Sequence, residues 1–176
     1  MRGLRFLWIP LAVIAAGVVW QLVLGGKTVE PHLTPSRATA TIGSGSDAVA
    51  VGADGAILAW LTLPEDAQLP RLPISAPPKS GRLAGPVLRQ AKVLGAAPPS
   101  LRPYIESSYY GESGVDVKLR SGIELRFGDA SRAATKWRSA ATVLADPSIA
   151  SLDYVDLHAP GRPAVRGSGH TLPPVE

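Results

Sequence analysis

Apolar residues follow three different rhythms along this chain. From Phe6 to Leu24 they are nearly continuous: none of these 19 residues carries a formal charge, and eleven are Leu, Ile, Val or Phe. As a helix the stretch measures roughly 28 Å, close to the roughly 30 Å of bilayer hydrocarbon. Pro10 and Gln21 lie near its ends, where a helix or a membrane tolerates them best. A cleaved signal would have a shorter apolar run and a small-x-small cleavage site, but Trp20, Gln21 and Leu22 stand where that site belongs. The pattern therefore predicts an uncleaved transmembrane helix. Arg2 and Arg5 precede it and Lys27 follows, so the positive-inside bias puts the N-terminus in the cytoplasm and the rest of the chain outside.

The second rhythm has period two. Val115, Val117 and Leu119 alternate with Asp116, Lys118 and Arg120, and Ile123, Leu125 and Phe127 alternate with Glu124 and Arg126. Alternation of this kind predicts strands with one buried and one wet face. The charged positions are expected to form cross-strand pairs. Ser121-Gly122 supplies a two-residue hairpin, and Asp54-Gly55 supplies another between Ala48–Val51 and Ile57–Leu61. Ile105–Tyr110 precedes the alternating pair as a further strand. Leu152–Leu157 reads as a last strand, with Val155 and Leu157 on one face and Tyr154, Asp156 and His158 on the other. Tyr109 and Tyr110, being adjacent, are expected to point to opposite faces.

The third rhythm is helical. Val87, Leu88, Ala91 and Leu94 make one apolar face over Gly85–Leu94, opened by Pro86 and stopped by Gly95. Ala133, Ala134, Trp137, Ala141 and Leu144 make another over Ala130–Leu144, with Asp129 as the expected N-cap. Trp60 and Trp137 are both expected in the core.

Together these elements predict an α+β fold: a transmembrane helix, then a mostly antiparallel sheet with two helices packed on one face. The expected divisions are a cytoplasmic tail at 1–5, the anchor at 6–24, a linker at 25–46, the sheet domain at 47–158 and a flexible C-terminal tail at 159–176. A short strand at Ala38–Ile42 is the one regular element read within the linker.

Composition narrows the function. The chain has no Cys, which excludes disulfides, thiolate catalysis, iron–sulfur clusters and a lipoprotein anchor. Net charge is +4, but Arg2 and Arg5 contribute half of it and no basic run stands out, which argues against nucleic acid. His32, His158 and His170 lack the spacing of a metal site. Gly43-Ser44-Gly45-Ser46 lacks the Lys of a phosphate loop. Glu112 and Asp116 flank a wet turn, where paired carboxylates are not driven into separate acid and base roles. No catalytic residue, cofactor or metal is expected. A terminal strand at a sheet edge leaves unpaired backbone groups, which either invite a partner strand or are blunted, here by Pro160 and Pro163.

The order and spacing of several segments then resemble one family. They are Val51-Gly52-Ala53-Asp54-Gly55-Ala56-Ile57-Leu58, Leu69-Pro70-Arg71-Leu72-Pro73, the helix around Leu88, and Val115 through Gly128. A helix containing Lys136 follows, then Leu152-Asp153-Tyr154-Val155-Asp156-Leu157-His158-Ala159-Pro160-Gly161-Arg162-Pro163-Ala164. Across residues 46–166 the chain resembles the bacterial cell-division protein family FtsQ/DivIB. The resemblance implies a non-enzymatic scaffold of the septal machinery, bound by FtsB- and FtsL-like single-pass proteins. It also implies that the strand matching Tyr154–His158, with the segment after it, receives a strand from such a partner. Tyr154, Val155, Asp156, Leu157, His158 and Arg162 are the implied contact residues. The family's POTRA domain, expected between anchor and sheet, has no room in the short stretch before the first hairpin. Two other functions stay open: a membrane-tethered cell-wall hydrolase, which would need Glu112, Asp116 or Glu124 to converge with a His, and a secreted binder of small ligands.

Overall fold

A computed structural model describes residues 37–64 and 67–173. The expected anchor and most of the expected linker lie outside those residues. Among the described residues no helix is long and apolar enough to cross a membrane.

The described residues form eight strands and two α-helices, in the order β1 (Ala38–Ile42), β2 (Val49–Gly52), β3 (Ile57–Leu58), α1 (Gly85–Gly95), β4 (Ile105–Gly111), β5 (Gly114–Leu119), β6 (Glu124–Gly128), α2 (Ala133–Leu144), β7 (Ser151–Asp156) and β8 (Ala164–Thr171). The fold is α+β and mostly antiparallel. β1, β2 and β3 form one three-stranded sheet and β4 to β8, in sequence order, a five-stranded one. Among the described strands β6 and β7 are the pair that runs parallel, because α2 carries the chain back across before β7 is laid down.

The Pro-rich segment at 69–73, which carries no periodicity, joins the two sheets. Thr41 N–H donates to the Pro70 carbonyl (2.9 Å), Leu72 N–H to the Thr41 carbonyl (2.9 Å) and Arg71 N–H to the Glu106 carbonyl (3.4 Å). Arg71 thus lies as a one-residue strand between β1 and β4, parallel to both. Pro70 and Pro73 have no N–H to give, so the pairing cannot lengthen. Gly43-Ser44-Gly45-Ser46 is not a free linker. It is the connection of the β1–β2 hairpin, with a 3-10 turn at Gly45–Asp47, so the folded domain begins at β1 and not at residue 47.

α1 packs on β1, β4 and β5, α2 packs on β6, and the helices touch each other. The core between them holds Val117, Leu119, Ile123, Leu125, Phe127, Val155 and Leu157, all fully buried. Trp137 is its centre. Its ring lies 4.9 Å from that of Phe127, and its Nε1–H donates to the Val93 carbonyl (2.7 Å), in the last turn of α1. One side chain thereby joins both helices to the sheet. Trp60 does the opposite of what was expected: it is 71% exposed, on the loop after β3.

α2 departs from its predicted form at its first turn. It starts at Ala133, and its N-cap is Arg132, held at φ 50°. Asp129 does not cap it. Its carboxylate accepts from Ser131 N–H (3.2 Å), Ser131 Oγ (2.7 Å) and Lys136 Nζ (2.7 Å). Lys136 also donates to the carbonyls of Phe127 (2.7 Å) and Asp129 (3.0 Å), so its buried ammonium has three acceptors. The Lys136 bond holds the Asp129 carboxyl down to about 2. The buried stripe of α2 is Ala133, Lys136, Trp137, Ala140 and Leu144, while Ala134 faces solvent.

Lys136→Met should keep the aliphatic packing and remove all three of these hydrogen bonds. A loss of about 2–3 kcal/mol is expected in urea unfolding, from hydrogen bonds made by a charged group. A loss below about 0.5 kcal/mol would show that this buried ammonium does not hold α2 to the sheet.

Candidate functional site

The residues expected to meet a partner all lie on or just after β7, and the structure separates them. Val155 and Leu157 are fully buried under the helices. Tyr154 and Asp156 are half-buried and His158 exposed, on the opposite face. Arg162 is exposed in the β7–β8 connection, where its N–H donates to the Ala159 carbonyl (2.9 Å).

β7 is not an edge strand. β6 pairs with it on one side and β8 on the other, so its backbone has no side left to give. Residues expected as a flexible tail form β8, which pairs antiparallel with β7 through Asp156–Ala164, Val155–Val165 and Tyr154–Arg166. Pro160 and Pro163 do not blunt an edge at β7; they shape the connection, which Ser139 Oγ ties to α2 by donating to the Pro160 carbonyl (2.6 Å). The terminal strand of the sheet is β8, and every residue in it except His170 is exposed. The sequence signal for it was weak because Ala164–Thr171 contains two glycines and a serine and has no alternating apolar face.

A polar cluster crosses the helix-free face beside this edge. The strand registers put Tyr109, Asp116, Arg126 and Asp156 in one row, and Lys118, Glu124, Tyr154 and Arg166 in the next. Tyr109 donates its hydroxyl to Glu124 Oε1, and Arg126 Nε donates to the same oxygen (3.3 Å). The Arg126 guanidinium lies 3.7 Å above the ring of Tyr154, a cation–π stack. Tyr110, on the other face, takes a hydrogen bond from Arg89 of α1, so the two tyrosines do point apart. The expected pairing of Lys118 with its neighbours is redirected: Lys118 pairs with Glu106 of β4 at 3.7 Å, and Glu124 is held within its own strand by Arg126.

Asp116 is the exception on this face. Its position in the alternation marks it as wet, yet it is 6% exposed, and its Oδ1 has no hydrogen-bond partner. Burial, helped by the charge of Glu124, pushes its carboxyl up to about 6 against the pull of Arg126 and His158. At β7, burial works to raise Asp156, but hydrogen bonds from His158 overcome it and hold this carboxyl below its ordinary value. His158 donates its backbone N–H to Asp156 Oδ1 (2.9 Å) and places Nδ1 2.8 Å from the same oxygen. That contact raises the imidazole above its ordinary value, and Nε2 lies 3.2 Å from the Ser113 carbonyl.

For hydrolase chemistry, Asp116, Glu124 and His158 do share a face, but Glu112 sits exposed in the β4–β5 turn. Glu124 and His158 are each held by neighbouring groups. Among the described residues no group of His, Asp and Glu is arranged to hold a metal ion. A polar groove of about 970 Å³ lies elsewhere, between the β1–β2 connection and the loop after β3, with Arg71, Glu106 and Arg120 along it. Glu112, Asp116 and Glu124 do not line it.

The family model for the C-terminal region of the cell division protein FtsQ/DivIB matches residues 40–158, about two-thirds of the chain. The chain belongs to the FtsQ/DivIB family. No curated protein matches it. Membership gives the protein a role in cell division, in a family of membrane-anchored, non-enzymatic scaffolds that interact with other division proteins. The matched region of this FtsQ/DivIB protein ends at His158, just before the connection to β8.

Asp116 titrates higher in the folded FtsQ/DivIB domain than in the unfolded chain, so the folded state binds its proton more tightly. Its contribution to stability is full below about pH 4 and is lost as pH rises through about 6. At pH 7.5 the ionised form costs roughly 2–3 kcal/mol. Asp116→Asn should therefore raise stability at pH 7.5 by about 1–2 kcal/mol, the rest being offset by an amide that also lacks partners. It should also flatten the stability profile between pH 4 and 7. Equal wild-type and variant profiles in urea titrations across that range would show that Asp116 ionises normally.

Proposed function

We propose that this FtsQ/DivIB protein is a divisome scaffold that takes a strand from a membrane-bound partner along β8. On this reading residues 6–24 anchor it in the cell membrane with the N-terminus in the cytoplasm. The partners are FtsB- and FtsL-like single-pass division proteins, and no nucleic acid is involved. The observation that carries the reading is the position of β8: it closes the five-stranded sheet, and its outer side is paired with nothing among the described residues. An open edge offers N–H and C=O groups in the spacing an incoming strand requires. Tyr154 and Arg162 remain surface groups beside that edge. Val155 and Leu157 act through the core, by holding β7 in place beside β8.

Successive residues of a strand turn their N–H groups to opposite sides. Of Val165→Pro and Arg166→Pro, one therefore removes an N–H facing β7 and the other an N–H facing outward. The outward one should leave the thermal melt of the domain nearly unchanged, yet reduce co-purification with septal membrane proteins at least tenfold and lower septal enrichment of the tagged full-length protein. Normal co-purification and localisation in both variants would rule out strand addition at β8.

A further inference from the structure

β8 is not uniformly open, and its interruption has an identifiable cause. Between the pairs Tyr154–Arg166 and Leu152–His170, β7 contributes one residue, Asp153, and β8 contributes three, Gly167 to Gly169. β8 bulges there, and the Asp153 carboxylate occupies the hollow. Its Oδ1 accepts the Gly169 N–H at 2.9 Å. Gly167 has φ 93°, and a side chain at it would begin 1.8 Å from Asp153 Oδ2; one at Gly169 would begin 2.4 Å from Oδ1. Only glycine fits at either position while the carboxylate is in place.

A bulge disrupts the ladder and bends the edge away from an approaching strand. In β8 it falls part-way along and leaves Ala164–Arg166 as the straight, in-register piece. That piece offers few backbone hydrogen bonds, so side chains must contribute to selection. Val165 is 44% exposed on the helix side of the sheet. Arg166 stands on the other side, next to Tyr154, exposed and without an ion pair among the described residues. No Asp or Glu occurs between residues 157 and 175, whereas Arg162 and Arg166 both do. The nearby acids of β7 are engaged, Asp153 by Gly169 and Asp156 by His158.

We propose that Asp153 is a register stop: by holding the Gly167–Gly169 bulge it confines an added strand to Ala164–Arg166, and Arg166 selects a strand with an acidic residue opposite it. This rests on the strand-addition reading and specifies which strand is taken. Asp153 is a positioning residue, acting through the shape of β8.

The test places a photoreactive p-benzoylphenylalanine at residue 165, 168 or 170 of the full-length protein in its own cell membrane, with cross-linked peptides mapped by mass spectrometry. The expected pattern is cross-linking to an acidic extended segment of one division protein from 165, and at least tenfold less from 168 and 170. Asp153→Ala should spread cross-linking to 168 and 170. Asp153→Asn, which keeps an acceptor for Gly169 N–H, should restore the wild-type pattern. Arg166→Glu should lower the yield at 165 at least fivefold, and Arg166→Lys should largely keep it. Equal cross-linking of one partner from 165, 168 and 170 in the unmutated protein would overturn the register stop and leave strand addition standing. So would a pattern that Asp153→Ala does not change. A cross-linked segment with no acidic residue, or an unchanged yield in Arg166→Glu, would overturn the selection by Arg166. Absence of cross-links from all three positions would overturn both this inference and strand addition.

Discussion

The C-terminal half of this protein depends on one crossover. A parallel strand pair cannot be closed by a hairpin, so β6 and β7 need a helix between them. α2 serves as that helix only because its inner stripe is fixed at two points: Trp137 wedges between Phe127 and the last turn of α1, and Lys136 reaches the Phe127 and Asp129 carbonyls. With α2 fixed, β7 falls inside the sheet and the chain has one more strand to lay down. The free edge, and with it the surface a division partner could extend, is a consequence of how α2 is packed.

Two buried or half-buried carboxylates on the helix-free face show how neighbours decide ionisation. Asp156 keeps its charge because His158 gives it a backbone N–H and an imidazole nitrogen. Asp116, one strand further in along the same row after Arg126, receives neither, and its carboxyl rises to about 6. The cost of ionised Asp116 at neutral pH is carried by the rest of the core. The face it belongs to is otherwise a chain of satisfied contacts through Tyr109, Glu124, Arg126 and Tyr154, leading to the edge at Arg166.

Much of the sheet domain was legible because its signals are local. Val115–Leu119 and Glu124–Gly128 declare themselves by alternation, Ser121-Gly122 and Asp54-Gly55 by turn chemistry, and the α1 face by its spacing. The failures share a cause as well. Asp116 was read as wet because alternation assigns a face and says nothing of how deeply that face is covered by Tyr109 and Arg126. Asp129 was read as a cap because its spacing to the helix suits one, while its true partner, Lys136, lies inside the helix. Arg71 carries no local signal because a one-residue strand has no period. Trp60 was placed in the core on residue type alone.

The candidate site divides in the same way. The sequence by itself determined the family resemblance, the α+β class and the hairpins, since each is carried by local segments and their order along the chain. Only the tertiary structure decided which strand is the edge. Ala164–Thr171 has little strand propensity of its own, and it becomes β8 because β7, paired on its other side with β6, presents it with a fixed ladder and an Asp153 carboxylate around which its glycines can bend. Pairing between distant strands is settled by packing, and no local pattern records it.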